Sequence, residues 1–245
     1  MSLDPHYTNS RLAALYDLDS PWGEDTDFYL AVAGSEPLSI VDIGCGTGTL
    51  AGGLNAAGHR VTGVAPAQAM LDVAPKNPFA AEVVWQQARA DSFQLDELCD
   101  LATMTGHAFQ VLLSDSEIQG ALMNIYRSLK EEGLLVFESR NPDLNWDEIW
   151  DTENIWQTRE GEVRQIRTGF LRDGERISFR HSFEFNDETL VSDSVLRFAS
   201  LPDIRRLLEL TAFEVIEMLG NWRGKKFEPL DQEMIFIAQK KAPLV

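Results

Sequence analysis

Between Ser39 and Glu138 the chain alternates short runs of apolar and β-branched residues with longer stretches whose apolar positions recur three and four apart. Such alternation is how a parallel sheet with crossover helices is written, because each buried strand is followed by an amphipathic helix that returns the chain to the same sheet edge. Strands are predicted over 39–43, 60–64, 82–86, 99–104 and 134–138. Helices are predicted over 49–57, 67–74 and 114–129. The last opens on a capping box made by Ser114 and Glu117 and stops at Lys130-Glu131-Glu132-Gly133.

After Glu138 the pattern changes. An acidic, tryptophan-bearing stretch over 145–156 leads into three runs of antiparallel character, 163–171, 175–185 and 189–198. Asp173-Gly174 and Asn186-Asp187 stand where hairpin turns are needed. A helix over 202–210 and strands over 213–219 and 233–239 complete the main sheet. The expected organisation is an N-terminal helical cover (1–35), an α/β doubly wound core (36–142 and 200–245) and an inserted antiparallel β-layer (143–199) that closes over a substrate.

Composition narrows the partners. The 245 residues are 44% hydrophobic and 24% charged, as in an ordinary globular chain. The formal charge of −18 repels phosphate backbones and anionic lipid, so nucleic acid and membrane surfaces are not expected as partners, and small neutral or cationic substrates are. Cys45 and Cys99 form neither a disulfide framework nor a metal-ligand cluster, and no apolar run resembles a signal peptide or spans a bilayer. A cytoplasmic monomer or homodimer without a bound metal is the expectation.

The chemistry concentrates where the strand Ser39-Ile40-Val41-Asp42-Ile43 runs into Gly44-Cys45-Gly46-Thr47-Gly48 and then into a helix. In that context glycines let a ligand approach the backbone, and the helix start offers amide donors. A dinucleotide fingerprint, G-x-G-x-x-G, would require glycine where Thr49 stands. The spacing is instead G-x-G-x-G with Asp42 two residues ahead. Here the chain resembles the class I S-adenosylmethionine-dependent methyltransferases of bacterial small-molecule type, whose first motif commonly reads D-x-G-x-G-x-G.

The resemblance extends from Ile40 onward: Val61-Thr62-Gly63-Val64 followed by Met70-Leu71 is similar to the second family motif, and Ala90-Asp91-Ser92 to the third. It implies a seven-stranded Rossmann-like sheet of order 3-2-1-4-5-7-6 with the last strand antiparallel. It also implies S-adenosyl-L-methionine as cofactor, held by Asp42, Gly44, Cys45, Gly46 and Gly48, by Ala65, Pro66 and Met70, by Asp91 and Ser92, and by Thr105, with Tyr16 covering it. One position departs from the family. The acid that holds the ribose hydroxyls falls on Ala65, and losing a charge-assisted bond of about 1.5–3 kcal/mol weakens binding by roughly ten- to a hundredfold. Gln68 is a candidate to compensate.

Methyl transfer requires alignment and, for an amine or hydroxyl, removal of a proton. His107, just beyond the fourth strand, is the preferred base, with capping of the next short helix or shaping of the pocket as the other roles open to it. Arg140 and Asn141 follow the fifth strand and are candidates to hold a polar substrate group, although Arg140 could equally pair with Asp143, Asp147 or Glu148. Trp146 and Trp150 share a helix face and, with Trp156, either line the lid or anchor its core. His181 reads as a packing or solvent residue, His6 and His59 as terminal and turn residues. The expected function is methyl transfer to an N or O nucleophile of a small molecule. A non-catalytic or weakly active S-adenosylmethionine-binding module and a nicotinamide-dependent oxidoreductase are the alternatives.

Overall fold

A computed structural model describes residues 3–77, 79–150 and 152–242. The chain opens with three single helical turns, α1 (Pro5–Thr8), α2 (Ser10–Ala13) and α3 (Tyr16–Asp19), followed by the longer α4 (Glu24–Ala33). Single turns do not persist alone, because nucleation costs more than one turn of hydrogen bonds returns. Packing holds these: Leu12 and Leu15 bury against Val163 and Phe183, and Ala13 against Ala67 and Met70.

The core follows as β1 (Ser39–Ile43), α5 (Thr49–Ala56), β2 (Arg60–Ala65), α6 (Gln68–Leu71), β3 (Val84–Gln87), β4 (Cys99–Met104), α7 (Asp115–Ser128) and β5 (Leu129–Arg140). An excursion through α8 (Trp146–Trp150), β6 (Glu153–Thr158), β7 (Gly161–Asp173), β8 (Arg176–Glu184) and β9 (Thr189–Arg197) precedes α9 (Leu201–Leu210), β10 (Phe213–Leu219) and β11 (Glu233–Lys240). The main sheet has the order β3-β2-β1-β4-β5-β11-β10, with β1 to β5 parallel and β11 antiparallel to both its neighbours. That is the order 3-2-1-4-5-7-6 implied by the family resemblance.

Burial on both faces explains the apolar strands. Val41 and Ile43 join the layer formed with Ile118, Leu122 and Ile125 of α7 and Leu207 and Leu208 of α9. Ile40, one residue out of phase, joins Tyr29 of α4 and Leu50 and Leu54 of α5 on the other face. Phe137 stacks between Phe109 and Phe236, with ring centroids 4.6 and 4.9 Å apart, and so ties the adjacent strands β5 and β11 to the segment after β4.

Three expectations are corrected. The helix expected over 67–74 stops at Leu71, because Pro75 cannot donate to the carbonyl four residues back and its ring crowds that turn; a short 3-10 turn, Ala74–Lys76, replaces it. The residues 130–133 do not end a helix. Ser128 is the last residue of α7, and β5 begins at Leu129, with Glu132 in the left-handed region at φ 60°. The inserted layer has a fourth strand, β6, which contains Trp156, and the four strands form a meander in the order β6-β7-β8-β9 with no ladder to the main sheet among the described residues. Among the described residues no helix is long and apolar enough to cross a membrane.

Candidate functional site

The loop after β1 turns back on itself because its first two amides are already used: the N–H groups of Gly44 and Cys45 both donate to the Val64 carbonyl, at 2.8 and 3.1 Å. Gly44 and Gly46 are left-handed, with φ of 75° and 55°. A Cβ on Gly44 would lie 2.6 Å from that of Ala108, and one on Gly46 would fill the space 3.4 Å from the Tyr16 ring. Among the described residues nothing accepts the Gly46 N–H, and Gly46 lines an open cavity. A bare backbone with a spare donor is the shape and chemistry that the amino-acid end of S-adenosylmethionine requires.

The cover is fastened directly to this loop. Asp17 accepts the hydroxyl protons of Thr47 and of Thr49, the latter at 3.3 Å, and Tyr16 beside it lies across Gly46. On its other side the cover is held to the inserted layer by Arg11, which pairs with Glu160 at 2.9 Å, Asp187 at 3.0 Å and Glu188 at 2.7 Å.

Beneath the loop lie two fully buried carboxyls. Asp42 accepts from the Thr103 hydroxyl at 3.0 Å while its other oxygen has no partner, and burial pushes its pKa up to about 7. Glu138 accepts the His107 N–H at 2.6 Å and the Tyr29 hydroxyl, and burial raises it against the pull of those donors. His107 itself sits at φ 58°, with Nε2 2.8 Å from Glu233 and Nδ1 4.0 Å from Glu138. Burial raises the Glu233 carboxyl, but His107 and Arg140 outweigh it and hold it below its ordinary value. Both nitrogens of the imidazole therefore aim at carboxylates, and the ring braces the end of β4 against β5 and β11. It caps no helix through its side chain.

The cavity, about 500 Å³, runs along the C-terminal edge of the parallel strands and ends beneath the inserted layer. Of the residues expected at the site, Tyr16, Gly44, Gly46, Ala65, Pro66, Met70, Thr105, His107 and Arg140 line it. Asp42, Cys45 and Gly48 stand behind the wall; a Cβ on Gly48 would run into Trp85 at 2.4 Å, so that glycine serves packing. Asp91 and Ser92 are exposed outside the lining, with Asp91 3.7 Å from Arg89, and it is Ala88, Arg89 and Ala90 that reach the cavity. Asn141 is spent on the chain itself: its amide donates to the carbonyls of Pro229 and Asp231 at 3.0 and 2.8 Å, and its oxygen accepts from the Asp143 N–H.

Ala65 ends β2 in the cavity wall and brings no carboxylate there. Gln68 does not replace it, since its amide donates to Asp72 at 2.8 Å, and Gln87 is bound to the Pro66 carbonyl. The glycine cradle thus fits the cofactor's amino-acid portion, whereas the strand end offers the ribose no acid.

Several lining residues lie outside the expected set. His6 and His181, expected at a terminus and in packing, join across 175 residues with their Nδ1 atoms 3.1 Å apart. Arg167 donates through Nε to His181 Nε2 at 2.7 Å, which puts the His181 proton on Nδ1 and, in turn, the His6 proton on Nε2. Burial drives both imidazoles toward neutrality, His6 down to about 4 and His181 further. Asp19 adds a half-buried carboxylate to the wall. No local spacing marks these residues, because each is brought in by a different element.

Residues 40–133 match the family described as methyltransferase domain. The chain is 25% identical over 214 residues to a putative methyltransferase of a Geobacillus species, covering 82% of this chain and 84% of that one. It is 22% identical to the cypemycin N-terminal methyltransferase of a Streptomyces species, covering 97% and 99%. Its fold is similar to that of an S-adenosylmethionine-dependent methyltransferase from Clostridium acetobutylicum (TM-score 0.78, 16% identity, 96% and 99% covered). An amino pentose methyltransferase from Micromonospora echinaspora, solved with S-adenosylmethionine bound, also shares it (TM-score 0.71, 18% identity, 93% and 97% covered).

Proposed function

Because this chain is a class I S-adenosylmethionine-dependent methyltransferase, we propose that it methylates the amine nitrogen of a small molecule. The observation that carries this reading is Asp19: a half-buried carboxylate in the cavity wall, with no cation at ion-pair distance among the described residues. A carboxylate so placed attracts an ammonium group and keeps the nitrogen near the glycine loop, and the proton passes to water before the free amine takes the methyl group. Two of the similar proteins, the cypemycin N-terminal and amino pentose methyltransferases, bear names that fit an amine acceptor. The roof supports a small acceptor, since α1, α3 and the inserted strands contribute to the cavity lining.

When bound, S-adenosylmethionine supplies a methyl group activated by its sulfonium. The chain's own part is alignment and exclusion of water. Gly44 and Gly46 would receive the amino-acid end and Tyr16 would close over it, its place set by the bond of its neighbour Asp17 to Thr47. His107 acts as a positioning residue that fixes the end of β4, in place of the base role its type suggested.

Ala65 supports a second reading, a module that binds the cofactor and transfers nothing. Incubation of the protein with radiolabelled S-adenosylmethionine and a metabolite extract separates the two. Label in amines of low molecular mass is the expected result; label confined to nucleic acid overturns the proposal, and binding without any transfer selects the second reading.

A further inference from the structure

Two guanidinium groups enter the inner half of the cavity without carboxylate partners among the described residues. Arg140 stands at the end of β5 and Arg167 midway along β7, both half-buried. They converge on one indole: the guanidinium carbons lie 4.6 and 5.5 Å from the centroid of Trp150. Their polar contacts are neutral, Arg140 Nη1 to Gln110 Oε1 at 3.0 Å and Arg167 Nε to His181 Nε2 at 2.7 Å. Among the described residues no carboxylate lies within ion-pair distance of either.

The contrast within the same layer is direct. On its exposed parts, Arg164 meets Glu153 at 2.5 Å and Arg180 meets Asp193 at 2.6 Å. Glu233 and Glu138, the acids that act on Arg140 from a distance, are already engaged by His107. Burial lowers both arginines: Arg140 falls to about 10 with Glu233 pulling the other way and the charge of Arg167 adding to the fall, and Arg167 falls against the more distant pull of Asp19. Two like charges facing one half-dry space are unfavourable until an anion joins them, and the planar fork of arginine matches the oxygens of a carboxylate or phosphate.

We propose that Arg140 and Arg167 form an anion subsite around Trp150, so that the methyl acceptor carries a carboxylate or phosphate group in addition to its nucleophilic nitrogen. This rests on the reading that the inner half of the cavity holds the acceptor. It places the nitrogen toward Asp19 and the anionic group beneath the inserted layer. It also revises the expectation of neutral or cationic substrates, since a net charge of −18 describes the whole chain and not this interior.

The test uses the full chain loaded with S-adenosylhomocysteine. Inorganic phosphate and acetate are titrated separately at constant ionic strength, against chloride, with indole fluorescence as the readout. We expect saturation by at least one anion, with the dissociation constant raised about tenfold or more in Arg167→Met and in Arg140→Met. Response to phosphate or to acetate alone identifies which group the acceptor bears. No saturation with either anion, or saturation indifferent to both substitutions, overturns the subsite. If one variant does not fold by circular dichroism, the other decides. Methyl transfer to a panel of primary amines is measured in parallel: an anion response without amine methylation keeps the subsite and rejects the amine reading, and amine methylation without an anion response does the reverse.

Discussion

Asp17 and Thr47 are joined by a hydrogen bond from the buried threonine hydroxyl to the carboxylate, and Thr49 donates to the same oxygen at 3.3 Å. The cover is thereby fixed to the loop that it closes. In Asp17→Ala the position of Tyr16 loosens, and the dissociation constant for S-adenosylhomocysteine should rise about fivefold, the effect of about 1 kcal/mol at an exposed site. Calorimetric titration of the two proteins measures it; equal constants would mean that Tyr16 is held in place without Asp17.

Ala65→Asp restores an acid at the end of β2 and has two opposite consequences. Without ligand the carboxylate enters a wall packed by Cys45, Leu71 and Trp85, so the melting temperature should fall. With ligand the ribose hydroxyls meet that carboxylate, and affinity for S-adenosylhomocysteine should improve about tenfold. Destabilisation without tighter binding would reject the ribose explanation for this position.

His107→Asn distinguishes a brace from a base. Asparagine tolerates the left-handed backbone at φ 58°, so the loss is confined to the ring and its bond to Glu233. The Glu233 carboxylate then lacks its partner, and unfolding in urea should show a loss of about 1–3 kcal/mol. Turnover should stay within about threefold with an unshifted pH profile, since general-base catalysis is typically worth about a hundredfold or more. A hundredfold fall together with loss of the acid limb would return the base role to His107.

Acid should destabilise the protein through the paired imidazoles. His6 has its folded pKa lowered from 6.5 to about 4, and His181 is lowered further, chiefly by burial. The unfolded chain therefore takes up protons in this range that the folded chain refuses, and stability falls as pH drops from about 6.5 towards about 4. Asp42 has the opposite sign: its pKa is raised from 3.8 to about 7, so its contribution is lost as pH rises through that window. Urea midpoints against pH should lose part of their acid slope in His181→Gln, whose amide oxygen still accepts from Arg167. An unchanged slope would separate these histidines from the acid response.

The sheet was legible because period and burial agree there. β1, β4 and β10 occupy the ranges that the apolar runs mark, and β5 and β11 contain theirs. β6 was hidden for the converse reason. Its half-buried positions include Asn154 and Thr158, and the amide of Asn154 bonds Gln165, so no apolar alternation announces a strand. The glycine loop was legible from local spacing, since strand, turn and helix are contiguous. The acceptor half was not: Arg140 and Arg167 meet at Trp150 only through the route of the inserted strands, and Glu233 reaches His107 across 126 residues. Residue type suggested proton transfer for His107; that Glu138 and Glu233 stand on either side of it could not be read from the sequence.

Among the described residues the inserted meander shares no ladder with the seven-stranded sheet. A strand's register is set by its partners, so a substitution that turns or shortens β7 or β8 reaches β1 and its glycines through side-chain bonds, such as those of Arg11 and Asp17 in the cover, and not through a shared ladder. On the proposed division of the cavity, recognition of the acceptor and capture of the cofactor are in this sense separately heritable. Such a chain could diversify its diet of acceptors by drift in one appendage while the machinery common to its relatives stays as it was.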